Sequence, residues 1–487
     1  MRGGNGGTAH ASSNGGGSRA TQRTALSERL LTRVMDWQNG RQLKILPYGR
    51  ALPDPLAKRD YTLYAHVPFC ERLCPYCSFN RYPFQEDHAR RYFRTLREEM
   101  RIVADQGFDF SSLYIGGGTP TILLDELCAT IDLAGELFAI SEVSCETNPN
   151  HLRAPYLEAL APRVKRLSVG VQSFDQDLLL RMERYGMCGS SAKMVASIQE
   201  AAATVDLLNV DLIFNFPSQT EAMLRRDLAL LKESGCQQAT AYPLMAPAAV
   251  ARTLAKSVGR VDYRRERRFY DLISEELSDT FEPASAWTFS RISEVLVDEY
   301  IVDHEEYVGV GSGAFSFLGG VLYVQTFSLR DYRAAVTQGR GLIASHRAFS
   351  PRDRMRYRML MGLFGLRLDK RRFREDFGIS VSRALPVETA FLRASGALAT
   401  DTADEATLTA GGRYLLVAMM REFFLGVDQV RKQARAAVDD DELAELWRPQ
   451  HLTVNDVAAC RATPATLTAE TVAANAGDAA SPVATLR

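Results

Sequence analysis

Short runs rich in β-branched and aromatic residues recur between residues 61 and 245, and amphipathic segments separate them. The runs are YTLYAHVPF, SSLYIGG, SEVSCETN, RLSVGVQ, VDLLNVDLIFNF and QQATAYPL, and the segments include HARRYFRTLREEMRIVADQ, LLDELCATIDLAGELF and MLRRDLALLKESG. These patterns are typical of strands and helices, respectively. Serial β–α units predict an α/β fold with a parallel sheet, and the short, even strands favour a partial (β/α)6 barrel.

The pattern changes on both sides of this core at 61–245. Residues 1–24 are rich in Gly, Ser and Thr and predict a disordered tail, and residues 25–60 predict an N-terminal arm. Residues 246–345 predict a barrel extension with a Gly/Ser-rich segment. Residues 346–437 predict a mostly helical, winged-helix-like domain, and residues 438–487 a C-terminal tail.

Composition excludes several classes of function. Lys and Arg total 58 against 59 Asp and Glu, and this balance argues against a nucleic-acid-binding surface. There is no apolar run long enough for a membrane span and no apolar leader at the N-terminus, so we expect a cytoplasmic protein. Eight cysteines in 487 residues do not resemble a disulfide framework. Five of them predict small buried side chains: Cys128, Cys145, Cys188, Cys236 and Cys460.

Cys70, Cys74 and Cys77 form a C-x3-C-x2-C cluster in YAHVPFCERLCPYCSFN. A cubane iron–sulfur cluster takes four thiolates when it is fully ligated, so three would leave one iron open to another ligand. A structural zinc site with His66 or His88 as the fourth ligand is an alternative reading, and so are three unrelated buried thiols.

Polar or glycine-rich features stand at the ends of successive predicted strands, where barrels of this class carry their chemistry. The cysteine loop follows the first strand and the run 116–120 (GGGTP) follows the second. Glu146 and Gln172 close the third and fourth strands, and Asp211 lies in the fifth. We therefore expect one site at this edge of the barrel.

Each of these features has a chemical interpretation and a structural one. Three glycines allow a backbone to approach a ligand closely, or form a tight turn. Glu146 suits a ribose diol but is equally consistent with a surface carboxylate. Gln172 and Asp211 interrupt apolar patterns, and buried polar groups need partners. Arg184 favours a helix surface, and His304 is more typical of a surface residue than of a proton donor.

The strings YAHVPFCERLCPYCSFN, YIGGGTP, CETNP, SVGVQSF and DLIFNFPSQT resemble the radical S-adenosylmethionine (SAM) superfamily, within the branch of oxygen-independent coproporphyrinogen III dehydrogenase. The resemblance runs from about residue 61 to about residue 435. It implies a radical SAM barrel with a [4Fe–4S] cluster on Cys70, Cys74 and Cys77. It also implies that SAM chelates the fourth iron and is cleaved reductively to a 5′-deoxyadenosyl radical.

The resemblance also implies positions that bind cofactor. For the cluster-bound SAM they are Tyr64, Tyr76, Gly117, Gly118, Thr119, Glu146, Gln172, Arg184 and Asp211. Pro243 and Phe315 fall where the family contacts a second SAM molecule, although neither is the family's typical residue. Contact there is expected through backbone or packing.

Departures from the family pattern suggest which relative this chain resembles most. Phe79 stands where the dehydrogenases carry a fourth cysteine, and LVDEYIVDHEEYVGVGSG lacks the HNxxYW heme motif of the heme-chaperone relatives. These differences favour a HemN-like class C methyltransferase that uses two SAM molecules to methylate an sp2 carbon of an aromatic substrate. The segment GSGAFSFLGGVLYVQTFSLRDY suggests menaquinone, at C8 of its naphthoquinone ring.

Two alternatives stand beside this hypothesis: an oxygen-independent coproporphyrinogen III oxidase-like enzyme and a non-enzymatic heme chaperone. The expected partners are a quinone or porphyrin-like small molecule and a low-potential electron donor such as flavodoxin or ferredoxin. No nucleic acid is expected, and membrane contact is expected only through a lipid substrate. Labelling with methyl-deuterated SAM separates these hypotheses.

Overall fold

The structure is a computed structural model that describes residues 43–56, 61–247, 250–291, 306–339, 341 and 343–446. The predicted N-terminal tail, most of the N-terminal arm and the greater part of the C-terminal tail lie outside the described residues. His304 and Cys460 lie outside them as well.

One large sheet contains most of the strands. Its strands are β1 (Leu46–Arg50), β2 (Thr62–Val67), β5 (Ser112–Gly117), β6 (Glu142–Thr147), β7 (Arg166–Gln172), β8 (Leu207–Phe214), β9 (Gln238–Pro243), β10 (Glu282–Pro283), β11 (Thr288–Ser290), β12 (Tyr307–Val310), β13 (Phe315–Leu318), β14 (Val321–Gln325) and β15 (Ile343–Ala348). A separate short sheet consists of β3 (Phe69–Cys70) and β4 (Tyr82–Pro83). The strand order of the large sheet is β1-β15-β14-β13-β12-β2-β5-β6-β7-β8-β9-β11-β10.

Helices connect the strands and cover the sheet. In chain order they are α1 (Glu86–Asp105), α2 (Leu124–Leu137), α3 (Ala154–Leu160), α4 (Gln176–Arg181), α5 (Tyr185–Cys188), α6 (Ser191–Ala202), α7 (Glu221–Glu233), α8 (Ala251–Ser257), α9 (Glu266–Leu277), α10 (Leu329–Thr337), α11 (Pro351–Phe364), α12 (Lys370–Phe377), α13 (Val381–Ala384), α14 (Pro386–Ala394), α15 (Ala410–Arg435) and α16 (Asp440–Leu446). Short 3-10 turns lie at Pro120–Ile122 and Pro149–His151.

The predicted α/β fold is confirmed, and the six predicted strands are β2 and β5 to β9, which pair in parallel in chain order. Their buried residues are mostly β-branched or aliphatic, as expected for strands covered on both faces. The helices bury one face each: in α1, for example, Tyr92, Leu96 and Val103 are buried.

Strands of the region 246–345, the predicted barrel extension, continue the same sheet. β12 pairs in parallel with β2, and β13 to β15 continue the sheet as antiparallel strands. On the other side, β11 pairs antiparallel with β9. The pairing of β12 with β2 joins segments more than 200 residues apart along the chain, so local hydrophobic pattern does not reveal it.

The C-terminal region is mostly helical, as predicted. Its small sheet consists of β16 (Arg367–Asp369), β17 (Leu398–Asp401) and β18 (Glu405–Leu408), in the order β16-β18-β17. The region packs on the barrel through aromatic contacts: the ring of Trp287 lies 4.8 Å from that of Phe364 and 5.8 Å from that of Phe424. Of the helices in the described ranges, none has the length and apolar character needed to cross a membrane.

Candidate functional site

The cysteine loop begins at the end of β3 and is closed by a buried arginine. The Nη2 atom of Arg81 donates to the carbonyl oxygens of Cys74, at 2.7 Å, and Cys77, at 2.8 Å. The Cys77 amide also donates to the Cys74 carbonyl, at 3.2 Å. Cys70 and Cys74 are buried, Cys77 is half-buried, and all three thiols are free. The loop is therefore a folded unit held by one guanidinium.

Two guanidiniums beside the loop favour the thiolate form of Cys74. Burial acts to raise the pKa of Cys74, but the Arg184 and Arg81 guanidiniums outweigh it, so this pKa lies below its ordinary value. Arg184 Nη1 lies 3.3 Å from Cys74 Sγ. Burial raises the pKa of Cys70 to about 12 although Arg81 opposes it. Iron takes cysteine as the thiolate, so a pair of fixed positive charges fits a cluster ligated by this loop.

The zinc alternative does not fit His66. Its Nε2 lies 2.8 Å from the carbonyl oxygen of Asn80, which can only accept, so Nε2 carries the proton. Its Nδ1 accepts from the Tyr64 hydroxyl at 2.9 Å. Burial lowers the pKa of His66 to about 4, so the ring is neutral. Within the described ranges, no three His, Cys, Asp or Glu side chains converge on one metal ion. A cubane instead spreads its thiolates over separate irons.

Gly116 and Gly117 end β5, and Gly118 follows it. All three approach atoms of the protein itself, which the interpretation as a ligand-binding backbone did not foresee. A Cβ on Gly116 would lie 2.6 Å from Glu146 Oε1, one on Gly117 would lie 2.6 Å from His66 Cε1, and one on Gly118 would lie 2.5 Å from the carbonyl oxygen of Phe69. The amides of Gly118 and Thr119 donate to the carbonyls of Val67 and Phe69, at 2.7 and 2.8 Å. The glycines thus let β5 dock against the cysteine loop.

Glu146 is not a free surface carboxylate. Its Oε2 accepts from the Gly117 amide at 3.0 Å, and its Oε1 accepts from the Tyr114 hydroxyl at 3.1 Å. The carboxylate is half-buried on the cavity wall described below. A carboxylate fixed in this way has oxygen lone pairs left for hydroxyl donors of a ligand.

Arg184 is buried beside the cysteines, so its assignment to a helix surface is wrong. Its Nη2 donates to Asn148 Oδ1, at 3.0 Å, and to the Gly170 carbonyl. Gln172, at the end of β7, has a φ of 71°, a conformation uncommon outside glycine and concentrated at functional sites. The tertiary fold rather than local helical pattern places Arg184 here, since its partners lie on other elements.

Asp211 belongs to a polar network inside the sheet, whose other members sequence reasoning missed. It accepts from Ser168 Oγ at 3.0 Å and from Asn209 Nδ2 at 2.7 Å, and Asn209 Oδ1 accepts from the Thr240 hydroxyl at 3.0 Å. Asn209 stands two residues before Asp211 on β8, so strand alternation alone places the two on one face. That alternation was the available signal.

All predicted cofactor residues line one cavity of about 790 Å³, which lies within the usual range for ligand sites. They are Tyr64, Tyr76, Gly117, Gly118, Thr119, Glu146, Gln172, Arg184, Asp211, Pro243 and Phe315, together with Cys70, Cys74 and Cys77. Since strands from β2 to β13 contribute to this wall, the sheet curves around it as a partial barrel. The C-terminal helices supply the remaining wall, including Tyr357, Phe391, Phe423 and Phe424.

The other described cysteines lie away from the loop in sequence. Cys145, Cys188 and Cys236 are buried and Cys128 is half-buried on α2, and all are free. Burial raises the pKa of each thiol. Their protonated, mostly buried state matches the prediction of small structural side chains.

Comparisons with known proteins point to one superfamily. Residues 64–231 match the family model of the radical SAM superfamily. The heme chaperone HemW of Bacillus subtilis is 27% identical over 341 residues, covering 66% of this chain and 88% of that protein. The oxygen-independent coproporphyrinogen III oxidase of Paracoccus denitrificans is 27% identical over 413 residues, covering 77% and 89%.

The fold comparison agrees with these matches. The solved structure of coproporphyrinogen III oxidase (HemN) from Escherichia coli superimposes with a TM-score of 0.64 at 21% identity, covering 75% of this chain and 91% of that chain. This likeness shows that the fold is shared.

The prediction of a class C methyltransferase acting on menaquinone is wrong. The relatives that match are named heme chaperones and coproporphyrinogen III oxidases. Phe79, which had suggested methylation, packs beneath Arg431 of α15, whose guanidinium lies 4.3 Å from the ring centroid, and is 41% exposed. Phe79 therefore has a structural contact between the loop and the C-terminal helix, and its presence does not identify the reaction.

Proposed function

We infer that this chain, which belongs to the radical SAM superfamily and to its HemN-like branch, is an oxidoreductase that binds a [4Fe–4S] cluster and SAM and acts on a porphyrin-like tetrapyrrole. The observation that carries the proposal is the single cavity. Three cysteines, the polar strand ends and a wall of aromatic side chains all line it, so the cofactor and the substrate could bind next to each other.

Cys70, Cys74 and Cys77 would hold the cluster, because they share one folded loop and two guanidiniums favour the ionised form of Cys74. With SAM, a bound [4Fe–4S] cluster supplies one-electron chemistry that can remove a hydrogen atom from an unactivated C–H bond. Arg81 and Arg184 hold the loop carbonyls and the Cys74 sulfur in place. A flavodoxin or ferredoxin is the proposed electron donor.

The polar strand ends would hold SAM. Glu146 is fixed by Tyr114 and Gly117 and offers acceptors for ribose hydroxyls. Thr119 belongs to the network of Arg184, since its Oγ1 accepts from Asn148 Nδ2 at 2.8 Å and Asn148 Oδ1 accepts from Arg184. The remaining proposed contacts are Tyr64, Tyr76, Gly118, Gln172, Arg184 and Asp211. Pro243 on β9 and Phe315 on β13 also line the cavity, and we propose that they pack against a second SAM molecule.

The aromatic wall supports a substrate that contains several aromatic pyrrole rings. Trp287, Tyr357 and Phe424 line the same cavity as the cysteines, and aromatic rings stack favourably on other π-systems. A tetrapyrrole has the breadth to contact several rings of this wall at once. The named function of the coproporphyrinogen III oxidases that match agrees with this substrate class.

Heme binding without SAM cleavage is the second candidate. The observation in its favour is the long match to the heme chaperone of Bacillus subtilis, which covers 88% of that protein. The segment that lacks the heme motif, residues 296–313, is described only from residue 306 onward.

Replacing Cys74 with Ala tests the cluster. We expect Cys74→Ala to lose the visible absorbance of the reconstituted cluster and all production of 5′-deoxyadenosine, because one of three thiolates is missing. Iron content, the absorbance spectrum and chromatography of the nucleoside product are the measurements. Cys128→Ala is the matched control, since Cys128 lies on a helix where alanine is favourable. Full activity in Cys74→Ala would refute the proposal.

A substrate assay separates the two candidates. Reconstituted protein is incubated without oxygen with SAM, a reductant and coproporphyrinogen III. Loss of carbon dioxide from the substrate together with formation of 5′-deoxyadenosine supports the oxidase proposal. Stoichiometric heme binding with no SAM cleavage under the same conditions supports the chaperone instead.

A further inference from the structure

A group of charged side chains lies on the part of the cavity wall formed by α11 and α14. Asp353, Arg354 and Arg356 come from the first turns of α11, and Glu388 comes from α14. Aromatic side chains, among them Tyr357, surround this group on the same wall. A polar group in an otherwise apolar wall usually fixes the orientation of a ligand.

Most of these charges neutralise one another. Arg356 Nε lies 2.7 Å from Glu388 Oε1, and its Nη1 lies 3.2 Å from Asp353 Oδ1. The exposed Arg352 lies 3.8 Å from Glu388 Oε2. Three guanidiniums, counting Arg354, therefore face two carboxylates, so the group carries one positive charge in excess. Arg354 is the guanidinium that no acid neutralises.

The side chain of Arg354 forms no ion pair or hydrogen bond within the described part of the chain, and its Nε is buried. Its stem crosses the hairpin between β13 and β14 at Gly320, where a Cβ would lie 2.4 Å from Arg354 Cδ. A larger residue at this turn would displace the arginine. The glycine hairpin therefore keeps room for this side chain on the cavity wall.

The position of Arg354 is unfavourable without a ligand. It stands in the first turn of α11, where the helix dipole opposes a positive charge. A partly buried guanidinium with no counter-charge also loses solvation energy. An anion bound from the cavity removes both penalties.

The other guanidiniums on the cavity wall are already engaged. Arg81 and Arg184 donate to protein oxygens around the cysteines, and Arg431 lies 2.7 Å from Asp428. Arg72 is exposed on the cysteine loop. Among the described residues, Arg354 is thus the half-buried guanidinium on this cavity wall whose N–H groups have no acceptor in the protein.

We propose that Arg354 binds a carboxylate of the substrate and thereby fixes which edge of a flat, apolar molecule lies toward α11. This inference rests on the proposed function, because it assigns a specificity residue to the same cavity. Guanidinium and carboxylate form two parallel hydrogen bonds, which lysine cannot reproduce.

Equilibrium dialysis of the cluster-reconstituted full chain tests the inference. The ligands are coproporphyrin III and its tetramethyl ester, both in the same mild detergent. We expect Arg354→Gln to weaken binding of the acid about 10- to 100-fold and to leave binding of the ester unchanged. Arg354→Lys should fall between wild type and Arg354→Gln. Arg371→Gln is the control, since Arg371 is exposed on α12, pairs with Asp404 and does not line the cavity, and it should bind both ligands as wild type does.

The outcomes distinguish this inference from the proposed function. If wild type binds coproporphyrin III and Arg354→Gln binds it equally well, the carboxylate role is wrong and the tetrapyrrole proposal stands. An equal loss of acid and ester binding would also overturn it, because Arg354 would then only support the wall. Naphthalene-2,6-dicarboxylate and its dimethyl ester form the second arm. Binding of this diacid alone, lost in Arg354→Gln, would keep the carboxylate site and overturn the tetrapyrrole, and binding of neither acid would overturn both.

Discussion

Arg81 and Arg184 serve the cysteine loop in different ways. Arg81 spans the carbonyls of Cys74 and Cys77 and so determines the fold of the loop. Arg184 joins the Cys74 sulfur to Asn148 on the neighbouring strand connection, and so determines where the loop lies on the barrel. Both are buried, and they donate to backbone carbonyls, to Asn148 and to the Cys74 sulfur. The thiolates supply the negative charge that such groups need.

At the same scale, Asp227 is a buried carboxylate that holds the turn after β7. It accepts from Ser173 Oγ at 2.7 Å and from the Phe174 amide at 2.9 Å. Burial raises the pKa of Asp227 from 3.8 to about 7 despite these hydrogen bonds. The folded protein therefore holds this proton more tightly than the unfolded chain does.

This difference predicts a pH dependence of stability. Since the folded-state pKa is the higher one, the contribution of Asp227 is fully present below pH 3.8 and falls as the pH rises toward about 7. Each unit of difference corresponds to about 1.4 kcal/mol. We expect Asp227→Asn to lose less stability than wild type between about pH 4 and about pH 7, as measured by urea unfolding.

Asp206→Asn is the control, because Asp206 is exposed at the turn before β8. Its stability should follow that of wild type across the same pH range. Parallel curves for wild type and Asp227→Asn would show that Asp227 does not titrate in this window.

At the scale of elements, the end of β5 determines the position of the cysteine loop. The residues directly after it, Gly118 and Thr119, donate to the carbonyls of Val67 and Phe69, and at Gly118 only a hydrogen atom fits between the two backbones. The polar network of β7 to β9 completes the same edge of the barrel. The cofactor site is therefore built from backbone contacts between elements as much as from side chains.

Gly118→Ala tests this docking. Its Cβ would lie 2.5 Å from the Phe69 carbonyl oxygen and 2.9 Å from the Phe69 nitrogen, which are backbone atoms and cannot rotate away. We expect a loss of stability of about 1–3 kcal/mol and a reduced yield of reconstituted cluster. Denaturant unfolding and iron content per chain are the measurements.

Gly135→Ala is the matched control. Gly135 lies within α2, is exposed, and a Cβ there meets no atom within 4 Å. Alanine should stabilise the helix by about 0.5–1 kcal/mol and leave the cluster intact. Similar behaviour of the two variants would contradict the docking account.

At the scale of the whole molecule, a buried charge network joins the C-terminal helix α15 to α9 against the barrel. Arg421 pairs with Glu266 and lies 2.9 Å from Glu422, and the Tyr414 hydroxyl donates to Glu266 at 3.2 Å. Further along α15, Asp428 accepts from Ser78 Oγ at 2.6 Å. One helix thus contacts both the barrel extension and the cysteine loop.

Arg421→Met should therefore destabilise the fold strongly. It leaves Glu266, which is fully buried, without its counter-charge, and breaking such a pair costs about 3–5 kcal/mol. Arg268→Met is the control, because the pair of Arg268 with Glu221 is exposed and contributes about 0–1 kcal/mol. Thermal and urea unfolding of both variants measure the difference. A loss in Arg421→Met no larger than that in Arg268→Met would contradict this role.

Much of the core could be predicted because its information is local. The strands β2 and β5 to β9 follow from short apolar runs, and their parallel order follows from the helices between them. The strands β12 to β15 could not be assigned to the same sheet, because they join it through pairs that are distant in the chain, β12 with β2 and β15 with β1. Glu99 of α1 illustrates this: it accepts from the Gly311 amide at 2.7 Å and from the Tyr332 hydroxyl at 2.7 Å.

Motif spacing and hydrophobic period are local properties of the chain, so they were enough to predict the resemblance to the radical SAM superfamily, the cysteine triplet and the strand ends that line the cavity. Local pattern did not identify the reaction. The prediction of methylation depended mostly on Phe79, and this residue lies against α15. Only the tertiary structure buried Arg184, docked the glycines on the loop and left Arg354 without an acid. These features depend on which elements pack together although they are distant in the chain, because that packing sets the burial and the ion-pair partners of each side chain.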